Sequence, residues 1–206
     1  MPLQIQPEES LVSYVKRNLF LNWSSPQAGI FEELATRYIF KTSDVQRIAA
    51  EMGWSGCNGF NRLLHGHTMM AATHVFKGGW DISYSGKQYA SDGERFSERD
   101  ASYCPGCAKE DIKALGFSYW RRYGAPYVTV CHKHNFVLLD RCPFCASPFI
   151  RPGHELDVMW RKCRGQHLAD ARPLVNEDPL ALRRAKVYHR LCTSRHHISD
   201  ELAVRV

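Results

Sequence analysis

Apolar positions in the first 64 residues recur at helical spacing in four runs, each flanked by residues that start or stop helices. Pro7-Glu8-Glu9-Ser10 puts acidic residues where a helix begins, and Leu11, Val15 and Leu19 follow about one turn apart. Phe31, Leu34, Ala35, Tyr38 and Ile39 trace a second stripe at i, i+3, i+4, i+7 and i+8. Thr42 or Ser43 caps a third helix that carries Val45, Ile48, Ala49 and Met52 inward and stops at Gly53. Phe60, Leu63 and Leu64 belong to a fourth.

The third and fourth helices, with a glycine turn between them, resemble a helix-turn-helix, the alternative being an ordinary helical hairpin. Trp54 to Gly59 has no basic recognition face, and Lys41, Arg47 and Arg62 are too few to read DNA. Protein contact is therefore the expected use. Residues 78–98, rich in Gly, Ser and charge, read as a partly ordered connection. Near the other end, Pro179 opens a helix with Leu182, Ala185, Tyr188 and Cys192 on one side. Arg183, Arg184, Lys186 and Arg190 give its other side a basic face, either solvated or a contact surface.

The chain has 206 residues, enough for one or two domains with real cores. No apolar run approaches transmembrane length, so a soluble, cytoplasmic protein without membrane contact is expected. Charge is unevenly placed. Residues 1–98 hold 9 Lys+Arg against 10 Asp+Glu, whereas residues 99–206 hold 18 against 11. That basic half permits contact with phosphate backbones or acidic partners.

Four cysteine–histidine half-sites stand in order within the basic half: Cys104-Pro-Gly-Cys107, Cys131-His-Lys-His134, Cys142-Pro-Phe-Cys145 and Cys163-Arg-Gly-Gln-His167. Tetrahedral zinc takes four N/S donors, usually as two short-spaced pairs on separate pieces of chain. Pairing neighbours predicts two Cys3His sites and two structural zinc ions. One uses Cys104, Cys107, Cys131 and His134; the other uses Cys142, Cys145, Cys163 and His167. His134 is preferred to His132, which is expected on the surface. The chain's first residues lack a signal-peptide pattern, which argues against disulfides. Four protein donors leave no position for a catalytic water, so the metal is expected to hold the fold. Cys57 reads as a buried thiol. His189, Cys192, His196 and His197 lack a paired half-site and do not make a third site.

No Gly-rich phosphate loop, H-E-x-x-H, G-x-S-x-G elbow or two-metal carboxylate cluster is present, so no catalytic residue is assigned. The expected fold class is α+β and mostly helical. A helix-turn-helix-like helical domain over residues 1–98 precedes a tandem zinc-finger or zinc-ribbon domain over 99–175 and a helical segment over 176–206.

Tyr103-Cys-Pro-Gly-Cys-Ala-Lys-Glu-Asp111, Tyr119-Trp-Arg-Arg122, Val130-Cys-His-Lys-His134 and Leu138-Leu-Asp-Arg-Cys-Pro-Phe-Cys145 together resemble the TniQ/TnsD family of bacterial transposon targeting proteins. Glu9-Ser10-Leu11 with Ser13 and Arg17 resembles the family's opening helix. The chain departs from the pattern at Gly124-Ala125-Pro126, where many members have a tryptophan-containing run. Cys163-x3-His167 replaces a C-x-x-C, and many members continue past position 206 into a DNA-binding region. Short members accompany CRISPR-associated transposons.

The resemblance implies a non-enzymatic adaptor linking a target-recognition module to the transposon's AAA+ ATPase of the TnsC type, and through it indirectly to the transposase. That module is either a Cas effector with guide RNA on target DNA or a DNA-bound region. A homodimer is compatible with this role, as is a bacterial cytoplasmic protein that joins the nucleoid when bound. Arg121, Arg122, Arg161, Lys162 and Arg164, beside the expected zinc ligands, and Arg183 and Arg184 are the candidate nucleic-acid contacts. The rivals are a self-sufficient zinc-finger DNA-binding regulator and, more distantly, a degenerate nuclease scaffold.

Overall fold

A computed structural model of the chain describes residues 2–21, 29–37, 39–68, 70, 76–78, 94–97, 101–123, 128–150, 152–194 and 196–204. Helix α1 spans Leu11–Leu21. Ser10 Oγ accepts the Ser13 amide at 3.1 Å, satisfying one of the donors a helix start leaves open. Leu11, Tyr14 and Val15 are buried, while Leu19, the last member of the expected stripe, is only half-buried.

Helix α2, Gly29–Ala35, buries Phe31 and Leu34 and then stops. The stripe through Ile39 does not continue as a helix, because Ile39 opens strand β1, Ile39–Lys41. Tyr38 lies outside the described residues. Strand β1 pairs antiparallel with β3, Arg95–Ser97, setting buried Phe40 opposite buried Phe96. A partner so distant in sequence outweighs the local period, and it gives the expected connection over 78–98 a strand; most of that segment lies outside the described residues.

Helix α3, Thr42–Glu51, follows at once. Its N-cap is Lys41, one residue before Thr42 and two before Ser43, and the Lys41 amide donates to Asp44 Oδ2 at 2.9 Å. Val45, Ile48 and Ala49 point inward, Gly53 turns the chain at φ 75°, and helix α4, Gly56–His67, packs back on α3. The turn folds so tightly onto the start of α4 that a Cβ on Gly59 would fall 2.0 Å from the Trp54 carbonyl oxygen.

The later half has fewer regular elements. Helix α5, Pro105–Leu115, ends at Gly116 in the left-handed region. Single 3-10 turns occupy Leu156–Met159 and Leu168–Asp170. Asp178 Oδ1 accepts the Leu180 amide to cap α6, Pro179–Thr193. Strand β4, Ile198–Ser199, pairs parallel with β2, Phe76–Lys77, before a last turn of helix, α7, Asp200–Ala203. The described fold is therefore mostly helical with some strands.

The larger core draws on both halves, from Ile5, Leu11 and Leu34 to Trp120, Phe149 and Leu168. Trp120 sits at the junction. Its ring meets Phe149 at a centroid distance of 4.7 Å and Tyr103 at 5.9 Å, and its indole N–H donates to the Leu156 carbonyl at 2.7 Å.

Against this core lies a buried polar knot. Glu9 and Arg17 are 0% and 2% exposed. Arg17 donates from Nε to Glu9 Oε1 at 2.8 Å and from Nη2 to Oε2 at 2.7 Å. Ser13 Oγ and the Gln6 amide also donate to the carboxylate, and the Gln4 carbonyl accepts from Arg17. Such a pair is tolerable in the interior because nearly every donor and lone pair is used. The same Ser13 Oγ accepts the Trp120 amide at 3.1 Å, and Ser10 donates its amide to the Trp120 carbonyl at 2.9 Å. The knot thus ties α1 to the later half.

Glu9→Gln should cost about 3–5 kcal/mol, because it leaves the Arg17 charge buried without a counter-charge. Denaturant unfolding reads this, and a loss below about 1 kcal/mol would show that the pair is not a structural requirement. Burial holds His67 down to about 4, with its Nδ1–H donating to the Glu9 carbonyl at 2.8 Å. Between about pH 6.5 and 4 the unfolded chain binds a proton there that the folded chain does not. Stability should be full above that window and fall as pH drops through it.

Candidate metal centres and the basic surface

Cys104 caps α5 with Pro105 as the first helical residue, which aims Cys104 and Cys107 from a helix start toward one point. The facing pair comes from a tight turn: the Asn135 amide donates to the Cys131 carbonyl, and the His134 amide lies 3.5 Å from Cys131 Sγ. His134 Nδ1 is 3.6 Å from Cys104 Sγ, 3.4 Å from Cys107 Sγ and 3.6 Å from Cys131 Sγ, and the Cys107 and Cys131 sulfurs are 3.6 Å apart. Donors around a tetrahedral zinc with ordinary bond lengths stand about 3.5–3.8 Å from one another. The four expected residues therefore form a cage of the right size.

The surroundings of this cage are also built for a metal. The other ring nitrogen of His134, Nε2, faces Glu110 Oε1 at 3.2 Å, an arrangement that fixes a ligating imidazole's orientation. Glu110 in turn pairs with Lys133. A Cβ on Gly106 would sit 2.9 Å from the His134 ring, which explains the glycine of Cys-Pro-Gly-Cys. The Cys104 and Cys131 sulfurs, and then burial, push the Cys107 thiol well above its ordinary value. Three sulfurs this close become thiolates together only with a cation between them.

The second cluster differs from the spacing-based expectation. Cys142, Cys145 and Cys163 come together with His154, not His167. His154 Nε2 lies 3.0 Å from Cys145 Sγ. Two tight turns present the cysteines: the Ala146 amide donates to the Cys142 carbonyl with Ala146 at φ 61°, and the Cys163 and Gln166 backbones bond reciprocally around Arg164 at φ 51° and Gly165 at φ 81°. His154 arrives on a loop folded so closely that a Cβ on Gly153 would fall 2.5 Å from the Pro148 carbonyl oxygen. His167 is used otherwise. Its Nδ1 accepts the Ala169 amide at 3.1 Å and its Nε2–H donates to the Met159 carbonyl at 2.7 Å. It caps a 3-10 turn. The described residues thus hold two Cys3His clusters able to take two metal ions, a donor set consistent with zinc.

The expected basic contacts divide. Arg121 points inward, pairing with Asp111 through two 2.8 Å bonds and lying 4.4 Å over the Tyr119 ring. Arg122 is buried, donating to the His65 and Cys192 carbonyls. Both are structural side chains and are withdrawn as nucleic-acid contacts. Arg161, Lys162 and Arg164 are exposed around Cys163, with Arg161 also paired to Asp157 at 3.0 Å. Arg183 and Arg184 are exposed on α6. His132 is half-buried and stacked on His189, not free on the surface, and Cys57 is half-buried beside Asn61. Gly124-Ala125-Pro126 lies outside the described residues.

Among known proteins, the family profile of TniQ matches residues 1–138. No curated protein matches the chain.

His154→Ala should lower bound zinc from about two equivalents to about one, whereas His167→Ala should leave about two. Elemental analysis of purified, folded protein decides it, and the reverse pattern would restore His167 as the ligand. Zinc displaces thiol protons, so its affinity should rise with pH and metal should leave as the solution is acidified.

Proposed function

The chain belongs to the TniQ family, associated with target selection in transposition, and on that premise we propose that it is a non-enzymatic targeting adaptor. It bridges a target-recognition complex, either an RNA-guided Cas effector or a DNA-bound module, to the TnsC-type AAA+ ATPase that recruits the transposase. The family match carries this reading. The two clusters of four protein donors suit it, because a filled coordination sphere holds structure and offers no place for a reacting water.

In this reading the domain spanning about residues 1–98 meets protein, using the α3–α4 unit as a helix-turn-helix-like contact surface. The zinc-bearing region, about 99–175, and the helical segment over 176–206 meet nucleic acid or acidic protein. Arg161, Lys162 and Arg164 stand exposed around one rigid turn, and Arg183 and Arg184 around another rigid element. Contacts of that kind position a protein on phosphates without reading sequence. The adaptor works in the bacterial cytoplasm and associates with the nucleoid when bound, as a monomer or a homodimer.

Reconstituted transposition tests the reading. Omitting the protein should abolish on-target insertion, and the protein should co-purify with the ATPase or the targeting complex. Unchanged insertion with no such complex would overturn it, and a nanomolar, sequence-specific footprint by the chain alone would favour the DNA-binding regulator. Replacing Arg161, Lys162 and Arg164 by Ala should weaken duplex binding uniformly across sequences. It should also flatten the dependence of log K on log salt by about 2–3. An unchanged slope would remove these residues from the interface.

A further inference from the structure

Two imidazoles and a carboxylate from remote parts of the chain converge away from both cysteine clusters. His189 Nδ1 lies 2.8 Å from Glu8 Oε1. The His189 and His132 rings stack with centroids 3.6 Å apart and planes inclined by 13°. One donor atom from each of Glu8, His132 and His189 falls within 4.8 Å of the others, and all three residues are half-buried. We propose that these residues form a third site, for a divalent cation of the zinc, cobalt or nickel type.

Each donor is delivered by ordered backbone. Glu8 holds φ 59°, a conformation uncommon for a residue with a side chain, and its carbonyl accepts the Arg122 amide at 3.0 Å. His132 follows Cys131 directly in the turn of the first cysteine cluster. His189 lies well within capped helix α6. Side-chain rotation that opens the His132–His189 stack turns both in-plane lone pairs onto one ion, at the separation of about 3.3–3.5 Å that nitrogen and oxygen ligands take around a tetrahedral centre.

The chemistry matches. Two neutral imidazoles and one carboxylate are a donor set zinc uses where it keeps an open position. With no thiolate present, the set also accepts cobalt and nickel and gives a spectrum unlike that of the cysteine clusters. The ion would take the place of the hydrogen between His189 Nδ1 and Glu8 Oε1, with the neutral imidazole carrying its proton on Nε2 instead. It would pin α6 to the segment before α1 and to the first cysteine turn, and offer its fourth position to water or an anionic oxygen.

The test titrates cobalt(II) into protein already carrying zinc at both cysteine clusters. One further equivalent should bind, with ligand-field absorption but without thiolate-to-metal charge transfer. Glu8→Gln and His189→Asn should each weaken that equivalent at least about tenfold while both zinc ions stay bound. Nickel(II) added to the unsubstituted protein should broaden the His132 and His189 ring resonances, which locates the ion without any variant. Uptake of no third equivalent, a third equivalent indifferent to both substitutions, or broadening centred elsewhere would each overturn the proposal.

Discussion

His134 Nδ1 stands 3.4–3.6 Å from three cysteine sulfurs, two of them 3.6 Å apart, and sulfurs so crowded cannot all persist as thiolates without a cation among them. Much of the later half of the chain depends on that constraint. Between Leu115 and Pro179 its described backbone forms no α-helix and is fixed by isolated bridges, tight turns and two short 3-10 turns. Such a segment has too little regular hydrogen bonding to order itself, so metal binding would supply folding free energy directly. The cysteine turns also determine where other residues stand. The first sets the start of α5, and through it Asp111, which receives Arg121; the second presents Arg161, Lys162 and Arg164 to solvent.

The earlier half is joined to this scaffold by polar bonds as well as apolar packing. Glu9, Ser10 and Ser13 serve α1 and Trp120 together, and Arg122 reaches carbonyls on α4 and α6. Residues that read as a family signature are thus interior fasteners. An adaptor profits from such construction, because two surfaces on one body keep a fixed spacing and orientation when each engages a different partner.

Where local chemistry decides, the sequence is legible. The helical periods of α1, α3, α4 and α6 and the first Cys3His set follow from spacing along one stretch of chain. Where a distant partner decides, it is not. Ile39 reads as helical because Phe96 is invisible to a local window, yet the Phe40–Phe96 pair makes it a strand. His154 escapes a search for short-spaced pairs because it stands midway between Cys145 and Cys163, on a loop admitted only by Gly153. The glycine before that histidine was the available signal. Arg121 and Arg122 look like surface charge beside metal ligands until Asp111 and two backbone carbonyls account for them. His132 and His189 meet only once α6 folds back over the first cysteine turn.

Zinc X-ray absorption on the purified protein, with zinc at about two equivalents, tests the scaffold most directly. The account predicts an average of three sulfurs at about 2.3 Å and one nitrogen at about 2.0–2.1 Å per ion. The spectrum should be unchanged by His167→Ala and altered by His154→Ala. An average of two sulfurs with two or more nitrogen or oxygen donors, or a spectrum that responds to His167 instead, would contradict it.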